Sequence, residues 1–384
     1  MTMQPKIETF HLRRLSSGDN LALQVYQFQG KLGQKTYIQA NLHGAEIVGN
    51  IVISEIFRWL SEIDPEKIWG EIWLVPACNP VGMNQRSHFF NSGRYNSYDG
   101  QDWNRIFWDY STETDEIYDF AKQHLESEIE TIYQGYIAQI KTWFQEQTAR
   151  RYQSCYVPYP VKYQQTLQFL CWDANHVIDI HSSSNQGLDY LFTFPGQEEA
   201  TKAFLLDVGI RVDQPSGYTF DEAFIKPWLV LEETFRKLGR NIKFNVASWT
   251  LELGSGMRAQ PESVAKGVRG IKNYLVSQGI VKIPDFSLQA TQNHTVQFVQ
   301  KEQIQKYYAP TGGIIQNCVD LKTVVNKGDV IYQILELNKQ GEPLKVISIT
   351  AQTSGLIFDL GINQGVHEGE YVLTILARED NNDR

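Results

Sequence analysis

Asn41-Leu42-His43-Gly44-Ala45-Glu46 closes an apolar run from Thr36 to Leu42 and opens a helical pattern from Ile47 to Ile63. A second short apolar run, Gly70-Glu71-Ile72-Trp73-Leu74-Val75-Pro76, follows and is ended by proline. Strand, helix and strand at this spacing form a βαβ unit, which predicts a parallel sheet. The same stretch carries chemistry. A strand that feeds a helix through His43-x-x-Glu46 sets an imidazole and a carboxylate side by side at its carboxyl end. Both groups coordinate Zn²⁺ at about 2.0–2.2 Å. Taken alone, the spacing also describes a helix-start glutamate next to a packed histidine. The residues downstream decide between the two.

Working outward, Lys6–Leu12 and Leu21–Gln29 alternate as strands around the turn residues Ser-Ser-Gly-Asp. Cys78 to Phe107 is polar, aromatic and glycine-rich, and a loop of that length inside a compact domain is usually functional. Residues 112–150 carry apolar side chains at near-helical spacing (Ile117, Phe120, Ala121, Leu125, Ile129, Ile132, Tyr133). The block at 109–172 reads as a helical insertion able to cap a cleft. Val177-Ile178-Asp179-Ile180-His181 is again an apolar strand ending on a histidine. Tyr190–Phe194 is expected as a strand, 197–208 and 220–238 as helices, Ile242–Leu253 as a strand, and Glu262–Gln278 as a helix begun by Pro261 and stopped by Gly279.

Beyond about residue 287 the chain turns to short strands with glycine turns, and it repeats itself. Ala309-Pro-Thr-Gly-Gly-Ile-Ile matches Ala351-Gln-Thr-Ser-Gly-Leu-Ile, and the stretch from Val325 to Leu335 matches that from Val366 to Leu376. Such a repeat suggests a small β-barrel or sandwich. The expected organisation is therefore a mixed, largely parallel α/β sheet with helices on both faces over 1–286, and a barrel-sandwich region over 287–384.

Composition narrows the function. Of 384 residues 42% are hydrophobic and 21% charged, the balance of a folded globular chain rather than a disordered one. The formal net charge of -9, with no basic tract, argues against nucleic acid and anionic membranes as partners. No apolar run approaches the roughly 18 residues needed to span a bilayer, and the first residues do not resemble a signal peptide. Four scattered cysteines (Cys78, Cys155, Cys171, Cys318) without a Cys-x-x-Cys spacing are expected to be reduced and buried. A cytoplasmic protein is the resulting expectation.

Three residues emerge as candidate metal ligands: His43, Glu46 and His181. In an open α/β sheet, ligands bind outside the carboxyl ends of the strands. A His₂Glu set leaves the fourth position of a single zinc ion open, as catalytic sites require. Glu252 lies in an otherwise apolar strand with Trp249, Leu251 and Leu253 on its other face, so it is costly to bury without a purpose. It is the candidate general base. Arg94 is a candidate for stabilising an oxyanion, and Asn104 with Arg105 for gripping a substrate carboxylate. Asp102 is the candidate for orienting a ligand histidine. Arg240, Lys243 and Arg258 are candidates for a second substrate carboxylate.

These motifs (His43-x-x-Glu46, Arg94 through Asp102-Trp-Asn104-Arg105, Asp179-Ile-His181-Ser and Thr250-Leu-Glu252-Leu-Gly) resemble the succinylglutamate desuccinylase/aspartoacylase family of the zinc carboxypeptidase group. The resemblance implies one zinc ion held by His43, Glu46 and His181. It also implies water activation by Glu252, carbonyl polarisation by Arg94, and a carboxylate clamp of Asn104 and Arg105. The implied substrate is a small anionic N-acyl amino acid. Trp103 departs from the leucine usual in that motif, a change expected to affect packing. Two other functions compete: a metallocarboxypeptidase acting on short peptides, and a non-enzymatic carrier built on the C-terminal repeat with Lys339 at its hairpin.

Overall fold

The computed structural model describes residues 3–151, 157–284, 286, 295–337, 339 and 341–378. Cys155, His294, Asn338, Gln340 and the boundary drawn near residue 287 lie outside them. Ten strands come first: β1 (Lys6–Arg14), β2 (Asn20–Gln29), β3 (Lys31–Ala40), β4 (Trp69–Val75), β5 (His176–Ser183), β6 (Gln186–Gly187), β7 (Tyr190–Thr193), β8 (Val208–Arg211), β9 (Ala247–Ser255) and β10 (Gln297–Gln300). All but β6 join one nine-stranded sheet in the order β1-β2-β4-β3-β5-β9-β7-β8-β10. The pairs β4–β3, β3–β5, β5–β9, β7–β8 and β8–β10 are parallel; β1–β2, β2–β4 and β9–β7 are antiparallel. The expected mixed, largely parallel sheet is therefore present.

Helices cover both faces. On one, α1 (Val48–Glu62) and α8 (Pro261–Ser277) lie against Ile38, Leu74, Ile178, Ile180, Trp249 and Leu251. The buried side of α1 is Val48, Val52, Ile56 and Leu60, a four-residue repeat that forms one helical stripe. α1 approaches β3 so closely that a Cβ on Gly49 would lie 2.5 Å from the Ala40 methyl. On the other face, α3 (Thr114–Gln123), α4 (Ile129–Arg151), α5 (Tyr159–Cys171) and α7 (Phe220–Lys237) bury an aromatic-rich layer over Tyr37 and Val177. Trp103, edge-on to Tyr163 with ring centroids 5.2 Å apart, belongs to this layer, so its departure is indeed absorbed by packing. Two short helices, α2 (Pro80–Asn84) and α6 (Glu198–Thr201), complete the set.

Several boundaries differ from the sequence reading. β3 stops at Ala40, because Asn41 takes a left-handed φ of 70° and turns the chain. The helix expected over 112–150 is broken between Gln123 and Ile129. The helix expected over 197–208 is only α6 and one 3-10 turn, which left-handed Leu205 (φ 56°) ends before β8 begins. The strand expected from Ile242 starts at Ala247. Ile242, Phe244 and Val246 are buried against the helical layer instead of paired in the sheet, and the Phe244 amide donates to Glu232. Alternating hydrophobicity fits either arrangement. Cys78 and Cys171 are buried, but Cys318 is exposed.

The C-terminal strands are β11 (Ile304–Tyr308), β12 (Gly313–Gln316), β13 (Val324–Val325), β14 (Val330–Glu336), β15 (Lys345–Thr350), β16 (Gly355–Leu360), β17 (Gly365–Val366) and β18 (Tyr371–Ala377). They form two antiparallel sheets, β11-β18-β16-β13 and β15-β14-β12-β17. Exchanging each strand of the first sheet for its counterpart in the other half of the repeat (β11 for β15, β18 for β14, β16 for β12, β13 for β17) generates the second. The sequence repeat is thus a pair of interlocked sheets around Ile315, Val325, Ile334, Ile357, Val366 and Ile375. The strand β6 extends the first sheet by pairing with β16. Among the described residues, no helix is long and apolar enough to cross a membrane.

The core beneath the sheet gives a direct test. Trp249 is fully buried against Phe204 and Tyr274, with ring centroids 5.2 and 4.6 Å away. Trp249→Ala should lower stability by about 3–5 kcal/mol. Urea unfolding should show this as a lower midpoint with an unchanged slope.

Candidate active site

The parallel order β3-β5-β9 brings three carboxyl ends together. His181 on β5 stands in register with Glu252 on β9, and β3 pairs with β5 as far as Ala40 and Ile180. His43 is therefore delivered by the turn after β3 rather than by the strand itself, and Glu46 lies two residues ahead of α1. The turn is held on several sides. The Asn41 carboxamide donates to the carbonyls of His43 and Gly44, each at 3.2 Å. Asn79 Nδ2 donates to Leu42 O at 2.8 Å, and Asn91 Nδ2 to Gly44 O at 2.8 Å. Gly44 has no room for a side chain, since a Cβ there would meet Gly82 O at 2.0 Å.

His43, Glu46 and His181 are 3%, 2% and 3% exposed, and their candidate ligand atoms lie within 4.8 Å of one another. Glu46 bridges the imidazoles, with Oε1 2.9 Å from His43 Nδ1 and Oε2 2.8 Å from His181 Nδ1. Each outer nitrogen meets a further carboxylate: His43 Nε2 lies 3.0 Å from Asp102 Oδ1, and His181 Nε2 lies 2.9 Å from Asp179 Oδ2. Such partners fix the tautomer with hydrogen on Nε2, which turns the Nδ1 lone pairs toward a shared cation. The donor set therefore fits a small divalent ion that takes nitrogen and oxygen ligands.

The charges follow from the geometry. Burial pulls the His43 and His181 pKa values down, but Glu46 with Asp102, and Asp179 with Glu46, outweigh it and raise both. Burial would raise the Glu46 carboxyl; the two histidines hold it well below the usual carboxylate range. For Asp102, the His43 bond and the Arg94 charge likewise overcome burial and hold it low. Glu252 behaves in the opposite way. Burial pushes it up to about 7, against the pull of His181.

The expected residues line one cavity of about 910 Å³: His43, Glu46, His181 and Glu252 together with Arg94, Asn104 and Arg105. Arg94 is braced by Asp102 through Nε at 3.0 Å and reaches to within 3.8 Å of Glu46. The Asn104 side-chain oxygen accepts the Phe220 amide at 2.8 Å, which fixes the start of α7 beside the Asn104-Arg105 pair. Arg240 and Lys243 lie elsewhere. Arg240 binds the carbonyls of Leu125 and Ser127, and Lys243 pairs with Glu232. Arg258 is exposed and off the cavity wall. Among the described residues, none from 109–172 lines the cavity, so the helical block does not cap it. It packs behind the sheet.

The sequence reading assigned no role to several residues in and behind the cavity wall. Asp179 was legible, because two positions along a strand places it on the same side as His181. Lys306, Asp359 and Tyr371, from the interlocked sheets, gave no such signal. Asp359 accepts bonds from Ser183 Oγ (2.5 Å), Asn185 Nδ2 (3.1 Å) and Tyr371 Oη (2.5 Å), tying those sheets to the segment that follows His181.

Residues 32–134 match the family model of the succinylglutamate desuccinylase/aspartoacylase catalytic domain. No curated protein matches the sequence. Among solved structures, a Shewanella frigidimarina protein named for that family superposes with a TM-score of 0.87 at 24% identity, over 98% of each chain. A Shewanella amazonensis protein named for the same family gives 0.83 at 26% identity, over 97% of this chain and 99% of that one. The product-bound ectoine utilization protein EutE of Ruegeria pomeroyi gives 0.66 at 17% identity, over 98% and 99%. Motifs, family model and architecture agree: the chain resembles the succinylglutamate desuccinylase/aspartoacylase family and carries the mixed α/β fold of its hydrolases.

Proposed function

We propose that this protein is a zinc-dependent hydrolase that cleaves the amide bond of an N-acyl amino acid. The observation that supports this reading best is the buried His43–Glu46–His181 set with Glu252 in register beside it on the wall of one cavity. A zinc ion, one per chain, supplies a Lewis acid that acidifies water and polarises a carbonyl. The chain's own groups supply the rest. Glu252, with a pKa near neutrality, accepts a proton from the attacking water as its oxygen bonds to the carbonyl carbon, and returns that proton to the amine nitrogen as the C–N bond breaks. Arg94, oriented by Asp102, donates to the developing oxyanion. Arg105 and the Asn104 amide bind the carboxylate of the amino acid.

The division of the chain suits a small substrate. In this reading, residues 1–286 form the catalytic unit and 287–384 a β-rich unit whose Lys306, Asp359 and Tyr371 wall off the cavity. That enclosure favours a compact amide over a peptide and disfavours the carboxypeptidase alternative. The deciding experiment assays the zinc-loaded protein on a panel of N-acyl amino acids beside dipeptides. Release of acyl acid from the former and not the latter is expected; cleavage of dipeptides alone would overturn the proposal.

Glu252→Gln should retain stoichiometric zinc by metal analysis yet lose about 10³-fold in kcat. Arg105→Ala should raise KM about 10–100-fold with little change in kcat, the loss of one charge-assisted bond made equally to ground and transition states.

The histidine shifts set the pH dependence of the metal-free chain. Raised folded-state values contribute stability that is full below the unfolded value of about 6.5 and is lost as pH rises through the folded value. The depressed Glu46 acts at the other end, its contribution present above 4.5 and lost in strong acid. Chelated protein should therefore melt at progressively lower temperature as pH is raised above about 6.5. Zinc, which requires neutral imidazoles, should raise Tm most on the alkaline side. Thermal melts from pH 5 to 9, with and without chelator, check both limbs.

A further inference from the structure

Asp221 sits in the first turn of α7 and on the wall of the catalytic cavity, yet it is 5% exposed. Its neighbours are all neutral donors. Oδ1 accepts from Thr219 Oγ1 at 2.7 Å and from the Glu222 amide at 2.9 Å, and Oδ2 accepts from Thr250 Oγ1 at 2.6 Å. Among the described residues, no lysine, arginine or histidine pairs with it. The nearby charges are like charges: burial, Glu222 and Asp179 all push its pKa up, while the Thr250 and Thr219 bonds hold it down. A helix N-terminus offsets part of a buried negative charge. It does not account for placing that charge in a substrate cavity.

The position relative to the clamp is informative. Phe220, the preceding residue, is bonded to Asn104, and Thr250, which holds Asp221, is two residues from Glu252 on the same side of β9. Asp221 therefore faces the amino-acid half of the substrate, next to the proposed carboxylate clamp. The cavity wall there also includes Phe192, Ile210 and Val212, apolar surface suited to an alkyl stem. A carboxylate with no cationic partner on a cavity wall that also carries apolar side chains is complementary to an ammonium or guanidinium group at the end of an alkyl stem.

We propose that Asp221 determines specificity for the amine half, and that the substrate is an N-acyl derivative of a basic amino acid. This rests on the deacylase reading and departs from the small anionic N-acyl amino acid expected from sequence: one carboxylate meets Arg105 while the side-chain cation meets Asp221.

The test compares kcat/KM of the zinc-loaded protein on Nα-acyl lysine, ornithine and arginine with Nα-acyl norleucine and citrulline, neutral groups of similar shape, and with Nα-acyl aspartate. The acyl group is varied between acetyl and succinyl. Basic substrates should be favoured about 30-fold or more, mainly through KM. Asp221→Asn should bring the basic-to-neutral ratio close to one, whereas a purely structural role would slow every substrate alike and leave that ratio unmoved. Equal rates on lysine and norleucine derivatives, or a preference for aspartate, overturn this inference and leave the deacylase reading standing. A ratio unchanged in Asp221→Asn overturns the role of Asp221. Failure to cleave any member of the panel overturns the deacylase reading itself.

Discussion

One buried carboxylate joins the two halves of the site. Glu46 lies between the inner nitrogens of His43 and His181, 2.9 and 2.8 Å away, and each histidine meets an acid at its outer nitrogen. Three ionisable groups less than 5% exposed are tolerable only when each has a partner of opposite charge or a bound cation. That requirement dictates the loop geometry around them: the left-handed Asn41, the Gly44 contact with Gly82, and the Asp102–Arg94 pair all keep the carboxylate and imidazoles in register. Removing one member leaves the others buried and uncompensated.

The interlocked sheets at the C-terminus extend this arrangement. Each half of the sequence repeat exchanges strands with the other, so neither sheet can form from one half alone. Their attachment to the rest of the protein is apolar where Phe358 and Leu376 pack with Val208, Ile210 and Val299, and polar beside the cavity. The strand β6 pairs with β16, and Asp359 gathers Ser183, Asn185 and Tyr371. Because Ser183 is two residues past His181, the wall of the cavity and the position of a proposed metal ligand are mechanically coupled. The helical block at 109–172 plays a different part: it shields the opposite face of the sheet and packs Trp103 from behind the arginine loop.

Charges of both signs line the cavity. Arg94 and Arg105 face the site from the long polar loop, and Lys306 faces it from the C-terminal strands, while Asp221 lies on the wall near Thr250 without a cation of its own. A substrate that carries both signs of charge is complementary to such a wall in two places. It would be oriented by those charges before its amide reaches Glu252.

Much of the α/β core was legible because its signals are local. The apolar stripe of α1, the runs that became β3, β5 and the later part of β9, and the spacing of His43 to Glu46 depend only on residues close in the chain. Local signals failed where an apolar run had two possible homes, as at Ile242–Val246, which packs on helices instead of extending β9. They failed also where single left-handed residues, Asn41 and Leu205, cut elements short. The sequence by itself determined the parallel strand order's building blocks, the repeat, and the candidate residues that the fold gathers at one cavity. Only the tertiary structure decided which histidine each of Asp102 and Asp179 backs, that the C-terminal sheets rather than the helical block wall the cavity, and that Asp221 stands in it with no cationic partner among the described residues. Those facts depend on contacts between residues up to 176 positions apart, as between Ser183 and Asp359, and burial and charge compensation at that range leave no pattern in any short stretch of chain.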